Sequence, residues 1–221
     1  NCLDVQSFIN AQPISRYQWR VVILCFLIVF LDGLDTAAMG FIAPALSQDW
    51  GIDRASLGPV MSAALIGMVF GALGSGPLAD RFGRKVVLVG AVVLFGAFSL
   101  ASAYSTNVDQ LLVLRFLTGL GLGAGMPNAT TLLSEYTPER KKSLLVTSMF
   151  CGFNLGMAGG GFISAKLIPM FGWHSLLLIG GVLPLILAVV LLFWLPESAR
   201  YLVVRNRGTD KVRKTLAPID P

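Results

Sequence analysis

Three charged side chains lie where the surrounding sequence is almost wholly apolar. Asp32 and Asp35 stand in an apolar run that begins at Val21, and Arg115 interrupts another. Aspartates three residues apart share nearly one face of a helix. Inside a membrane a carboxyl group must face a cavity, find a partner or hold a proton. We therefore interpret Asp32 and Asp35 as candidates for proton and substrate binding, with hydrogen bonding for packing alone as the alternative.

The depth of these residues in a bilayer can be counted at about 1.5 Å per residue. Asp35 lies about 22 Å beyond Arg20 along the helix. In a hydrocarbon core about 30 Å thick, Asp35 is therefore about 8 Å below the far surface. Arg115, counted from Asp109, lies about 9 Å below the same surface. Equal depth allows Asp35 and Arg115 to pair if their helices are neighbours. Arg115 could also bind a substrate carboxylate through two hydrogen bonds, or instead extend to the outer interface.

The apolar runs that contain these residues are predicted to be membrane-spanning helices. The chain is 55% apolar and only 13% charged, whereas ordinary globular chains carry about 25% charged residues. About 20 mostly apolar residues suffice to cross a bilayer. Gly33 could loosen the first run, and Pro44 could kink it. The sequence predicts an all-α membrane protein with six spans, at about 20–46, 57–78, 86–104, 110–134, 144–168 and 174–195.

Basic residues are distributed unevenly between the two ends of these spans. If the N-terminus is cytoplasmic, fourteen of the seventeen lysines and arginines fall on the cytoplasmic side. By the positive-inside rule the N-terminus and residue 221 are then both cytoplasmic. The net charge of +5 thus reflects topology and not a nucleic-acid surface. We predict a membrane domain at 1–195 and a basic cytoplasmic linker at 196–221, as expected of the N-terminal half of a twelve-span transporter.

Glycines recur at four-residue spacing in several spans. The pairs are Gly67 with Gly71, Gly119 with Gly123, and Gly152 with Gly156. This spacing favours close packing of membrane helices. The three cysteines are far apart and the single histidine has no cysteine near it in sequence. The sequence therefore indicates no metal site, cofactor or enzyme, since no nucleophile–base pair or phosphate-binding loop is found either.

Four stretches resemble motifs of a known family. GPLADRFGRK at Gly76–Lys85, RFLTGLGLG at Arg115–Gly123 and PESARYL at Pro196–Leu202 resemble motifs of the major facilitator superfamily, although Ala199 replaces the usual proline. LDGLDTAAMGFIAPAL at Leu31–Leu46 is similar to the D-G-x-D first helix of its aromatic acid:proton symporter family. The resemblance covers nearly all of this chain but only the first half of a family member.

The resemblance implies two inverted three-helix repeats, half of a transporter that rocks between inward-open and outward-open states. It implies uptake of aromatic carboxylates such as 4-hydroxybenzoate and protocatechuate with protons across a bacterial inner membrane. It makes Asp32 and Asp35 functional residues. It also implies a cytoplasmic gate formed by Asp80, Arg81, Gly83, Arg84, Lys85, Glu135, Glu139, Arg140, Glu197 and Arg200.

The sequence is also compatible with other functions. A transporter of the same fold could export its substrate, or carry another organic anion such as shikimate or a sugar acid. The protein could also act as a receptor for aromatic acids in chemotaxis. The sequence shows no signalling domain, so a receptor would need a partner or would signal through uptake itself.

Overall fold

Six long α-helices account for nearly all of the chain described by the computed structural model, which covers residues 9–10 and 13–196. A short 3₁₀ turn at Arg54–Leu57 precedes the second helix. The helices are α1 (Arg16–Trp50), α2 (Gly58–Phe82), α3 (Arg84–Ser102), α4 (Val108–Tyr136), α5 (Glu139–Phe171) and α6 (Trp173–Trp194). Each is long and apolar enough to cross a membrane, as predicted for the six runs. The described chain is a multi-pass membrane bundle.

Local sequence explains where several of these helices begin and end. Ser15 caps α1 in a box with Gln18, and the side chain of Asn107 accepts a hydrogen bond from the backbone of Gln110 at the start of α4. Gly83 alone separates α2 from α3, with φ of 103° and ψ of 150°. Residues with a Cβ rarely adopt such a positive φ, so this turn requires glycine.

The first helix is unbroken over 35 residues. It continues as one α-helix through both Gly33 and Pro44, so neither residue ends it. A Cβ atom at Gly33 would overlap the backbone carbonyl of Phe153 on α5. Gly33 is therefore small because two helix backbones meet there.

The glycine spacings mark the closest helix contacts, as predicted. Added Cβ atoms at Gly71 and Gly123 would overlap the carbonyl oxygens of Leu120 and Met68, which joins α2 to α4. At Gly156 the overlap would be with the carbonyl oxygen of Phe30, which joins α5 to α1. In membranes, close van der Waals packing of this kind drives helix association.

The pairing of helices follows the predicted inverted repeat. The main pairs are α2 with α4 and α1 with α5, and α3 packs on both α4 and α6. Exchanging the first three helices with the last three converts the α2–α4 pair into α5–α1, and leaves the α3–α6 pair unchanged. Two apolar clusters fill the two ends of the bundle. Buried polar side chains from α1, α3 and α4 lie between these clusters.

Candidate functional site

The buried polar side chains between the two apolar clusters are here called the polar layer. At its centre is an ion pair between α1 and α4. Nη2 of Arg115 donates to Oδ2 of Asp35 at 3.0 Å, and Nη1 donates to Oδ1 at 3.4 Å. Ser99 of α3 donates its hydroxyl to the same Oδ1 at 3.0 Å. Asp35 and Arg115 are each 1% exposed and Ser99 is 0% exposed. Three helices thus converge on one carboxylate.

This arrangement decides between the sequence-based alternatives for Arg115. An arginine that extended to the interface would expose its guanidinium group, but this one is buried against Asp35. Two charges out of water are tolerated only when they are paired and hydrogen-bonded. The two-point contact and the Ser99 hydroxyl meet that requirement for Asp35. The pairing expected from equal depth is therefore observed.

Asp32 has a different environment, although it lies on nearly the same helix face. Both of its carboxylate oxygens are buried, and neither has a hydrogen-bond partner within the described residues. Gly125 of α4 lies beside it, because a Cβ added there would be 3.5 Å from Oδ2. A buried charge without a partner is strongly unfavourable. Protonation would remove this charge, so Asp32 is the candidate proton-binding group of this layer.

A groove of about 550 Å³ runs beside this polar layer and reaches Arg115. Its lining includes the thioether side chains of four methionines, which are flexible and pack well against aromatic rings. The Nε atom of Arg115 is buried and has no hydrogen-bond partner in the described part of the chain. The lining residues are Thr36, Ala37, Met39, Gly40, Phe41, Met61, Ala64, Leu65, Met68, Arg115, Leu122 and Met157. One cationic group in an apolar groove suits a ligand with a carboxylate and an aromatic ring.

The motif at Gly76–Lys85, here called the signature turn, connects α2 to α3. It brings together part of the predicted gate. Nε of Arg84 lies 3.8 Å from a carboxylate oxygen of Glu135, and Nη2 lies 4.0 Å from one of Asp80. Nη1 of Arg84 donates to Oδ1 of Asn128 at 3.1 Å. Arg84 therefore links the α2–α3 turn to the last turns of α4. The single-residue turn at Gly83 brings Arg84 within reach of both.

The remaining gate residues are placed differently. Lys85 donates from Nζ to the carbonyl of Leu192 on α6 at 2.9 Å, and the Arg81 guanidinium lies 5.2 Å from the centroid of the Phe82 ring. Glu139 and Arg140 are exposed at the start of α5. No ion pair joins the Glu139 carboxylate to the signature turn among the described residues. The other two predicted residues, Glu197 and Arg200, lie outside the described residues.

Within residues 9–10 and 13–196, no group of three or more His, Cys, Asp and Glu side chains is placed to hold a metal ion. Asp32, Asp35 and Arg115 offer charge, hydrogen bonding and, at the carboxylates, proton binding.

Two polar residues of the site were missed in the sequence. Ser99 lies about 22 Å along α3 from Arg84, the same depth that separates Asp35 from Arg20 on α1. The depth count that matched Asp35 to Arg115 could therefore have found Ser99. Asn128 lies in the same span as Arg115, and it is 1% exposed. Its position in sequence gives no indication that it accepts a hydrogen bond from Arg84.

Comparisons with known proteins agree with this architecture. A family model described as Major Facilitator Superfamily matches residues 25–218. The chain is 90% identical over 219 residues to the 4-hydroxybenzoate transporter PcaK of Pseudomonas putida, covering 99% of this chain and 49% of that protein. It is 55% identical over 217 residues to a gallate transporter of Pseudomonas putida, covering 98% of this chain and 48% of that protein.

A solved structure gives the same result for the fold. The chain matches a crystal structure of a double-tryptophan mutant of XylE with a TM-score of 0.80 and 21% sequence identity. The match covers 93% of this chain and 50% of that one. The chain thus spans about half the length of the proteins it matches, and its six helices correspond to half of a larger bundle.

Proposed function

This chain belongs to the major facilitator superfamily, and we propose that it forms the N-terminal half of a transporter that takes up aromatic carboxylates together with protons. We place it in a bacterial inner membrane with both ends of the chain cytoplasmic, as the distribution of basic residues favours. Residues 1–195 would form the membrane domain and 196–221 the start of a cytoplasmic linker. A second six-helix half would complete the substrate cavity.

The proposed substrates are 4-hydroxybenzoate and protocatechuate. A relative that is 90% identical is named as a 4-hydroxybenzoate transporter, and one that is 55% identical is named as a gallate transporter. These two compounds are benzoates that carry ring hydroxyl groups. Protocatechuate, with two such groups, lies between them in ring substitution. The transporter would move its substrate without making or breaking covalent bonds, so no cofactor or catalytic residue is required.

The observation that carries the proposal is the contrast between Asp32 and Asp35. Asp35 is neutralised by Arg115 and held by Ser99. Asp32 is buried a few residues away with no partner among the described residues. We infer that Asp32 binds the transported proton, because protonation is the direct way to remove an unpaired buried charge. Asp35 would orient Arg115 and hold its charge in the bundle.

Arg115 would attract the substrate carboxylate from the adjoining groove. Two of its nitrogen atoms contact Asp35, while Nε has no partner in the described chain. The aromatic ring would then lie against the methionine and phenylalanine side chains of the groove. With Asp32 protonated, the added negative charge of the substrate meets less repulsion. Proton and carboxylate would therefore favour each other's binding, which is the thermodynamic requirement for coupling.

The turn between α2 and α3 would act as the cytoplasmic gate. Arg84 holds the ends of α2 and α4 together through Asp80 and Glu135. Both ion pairs are partly exposed and long, so their separation requires little energy. Rocking of one half against the other could then break and reform them in each cycle.

Uptake of labelled 4-hydroxybenzoate by cells that express the full-length protein tests this function. We expect accumulation against a concentration gradient, and we expect a protonophore to abolish it. Unlabelled protocatechuate should compete, whereas shikimate should not. Accumulation that is unaffected by the protonophore would contradict proton coupling. Absence of uptake in cells with confirmed expression would contradict the proposed substrate.

A further inference from the structure

A second groove, here called the α1–α6 groove, opens where α1 begins and α6 ends. Its volume is about 380 Å³. One end carries the guanidinium groups of Arg16 and Arg20, and the rest is apolar or aromatic. The main lining residues are Arg16, Trp19, Arg20, Ile23, Leu27 and Trp194. The groove therefore changes from cationic to apolar along its length.

This change follows the axis of α1. Arg16 and Arg20 are four residues apart and so project from one face of the helix. Ile23 and Leu27 continue that face, and Leu27 lies about 16 Å farther along the axis than Arg16. The cationic end is at the bundle end that also carries Arg84 and Lys85, whose neighbours include the last turn of α6. In the proposed orientation this end meets the cytoplasmic leaflet.

The groove is separate from the one beside Arg115. Leu27 and Thr36 are nine residues apart on α1, which places them about 180° apart around the helix. Leu27 lines the α1–α6 groove, whereas Thr36 lines the substrate groove. They are also about 14 Å apart along the axis, so a ligand in the α1–α6 groove would lie nearer the cytoplasmic end of α1 and would not compete with the substrate.

The charges and aromatic rings of this groove are those of a lipid-headgroup site. No acidic residue lines it within the described part of the chain. The guanidinium group of Arg20 lies 5.8 Å from the centroid of the Trp194 ring, a cation–π contact. Trp19 is 45% exposed and Trp194 is 57% exposed, as is typical of tryptophans at the headgroup level. Arginine can hold a phosphate through two hydrogen bonds at once.

We propose that the α1–α6 groove binds an anionic phospholipid of the cytoplasmic leaflet. Its phosphate would lie between Arg16 and Arg20, and one acyl chain would follow Ile23 and Leu27. A free phosphate ion would leave the apolar part of the groove unfilled. A zwitterionic lipid would bring a positive group beside two arginines. The anionic phospholipid matches both ends of the groove.

Native mass spectrometry of the full-length protein tests this proposal, with phosphatidylglycerol and phosphatidylcholine of identical acyl chains as probes. Basic residues near a membrane surface each contribute about fivefold to anionic lipid binding. We therefore expect R16Q/R20Q to lose about 25-fold in its preference for phosphatidylglycerol. The matched control is K141Q/K142Q, which removes two positive charges at the start of α5, at the same end of the bundle. It should keep most of the preference, because neither lysine lines the groove.

Equal loss in both double variants would show a diffuse surface attraction and would overturn the proposal, as would no loss in R16Q/R20Q. If R16Q/R20Q does not insert or fold, R16K/R20K keeps both charges but lacks the two-point geometry of arginine. That variant should lose part of the preference, and an unchanged preference would again overturn the proposal. Inorganic phosphate should fail to displace the lipid; displacement at equal concentration would show a simple anion site instead.

Discussion

Arg115 and Asp35 form a two-point ion pair that joins α4 to α1 inside the bundle. The shorter contact, between Nη2 and Oδ2, is 3.0 Å, and both residues are 1% exposed. A buried pair of this kind adds little net stability compared with apolar residues, but removal of one partner leaves an unpaired charge. Substitution of only one of the two residues is therefore expected to destabilise the protein.

The first prediction concerns the two single variants and their combination. R115Q leaves the Asp35 carboxylate unpaired, and D35N leaves the Arg115 guanidinium unpaired. Each should destabilise the full-length protein by about 3–5 kcal/mol. The double variant D35N/R115Q should be less destabilised than the sum of the two, because neither charge remains. Thermal unfolding of the purified proteins measures this coupling, and strictly additive losses would show that the two side chains do not interact.

Ser99 provides a second prediction. S99A removes a hydrogen bond to the Asp35 carboxylate and should cost about 1.5–3 kcal/mol, the range for a hydrogen bond to a charged group. It should also raise KM for the substrate, because Arg115 is then held less firmly. The matched control is S102A on the same helix, whose hydroxyl is also buried but donates to the carbonyl of Phe98 within α3. The control should leave KM unchanged, and an equal rise in both variants would contradict a specific role for Ser99.

The extent to which this site could be predicted from the sequence depends on the kind of information needed. Helix depth can be counted, and it was sufficient to match Asp35 with Arg115. The same count places Ser99 at that level. Which neighbouring helix each side chain faces cannot be counted, since it depends on helix rotation and packing. This is why the sequence did not indicate that Asp32 has no hydrogen-bond partner among the described residues, or that Arg84 contacts Asn128.

The glycines on α2 give a test of helix packing. A Cβ at Gly71 would overlap the Leu120 carbonyl oxygen, whereas one at Gly74 would meet nothing within 4 Å. G71A should therefore destabilise the protein by about 1–3 kcal/mol, as expected for overpacking. G74A, three residues away on the same helix, should have little effect or a slight stabilising one. Unfolding measurements that rank the two variants in the opposite order would contradict the observed α2–α4 contact.

Gly40 allows the proposed substrate groove to be filled without a packing collision. It lines the groove beside Arg115, and a Cβ there would meet nothing within 4 Å. G40L should raise KM for 4-hydroxybenzoate about tenfold, which corresponds to the lower part of the 1–3 kcal/mol cost of overpacking. Gly90 on α3 is equally open but does not line that groove, so G90L is the control. Similar KM values for G40L and wild type would place the substrate elsewhere.

The central claim is that Asp32 carries the coupled proton while Asp35 holds Arg115. The measurement that tests it most directly compares two activities of D32N in proteoliposomes: exchange of labelled for unlabelled 4-hydroxybenzoate, and accumulation driven by a pH gradient. Asparagine resembles a protonated aspartate, so we predict that exchange continues and that gradient-driven accumulation is lost. Accumulation by D32N at the wild-type level would contradict the claim, and the proton would then have to bind elsewhere.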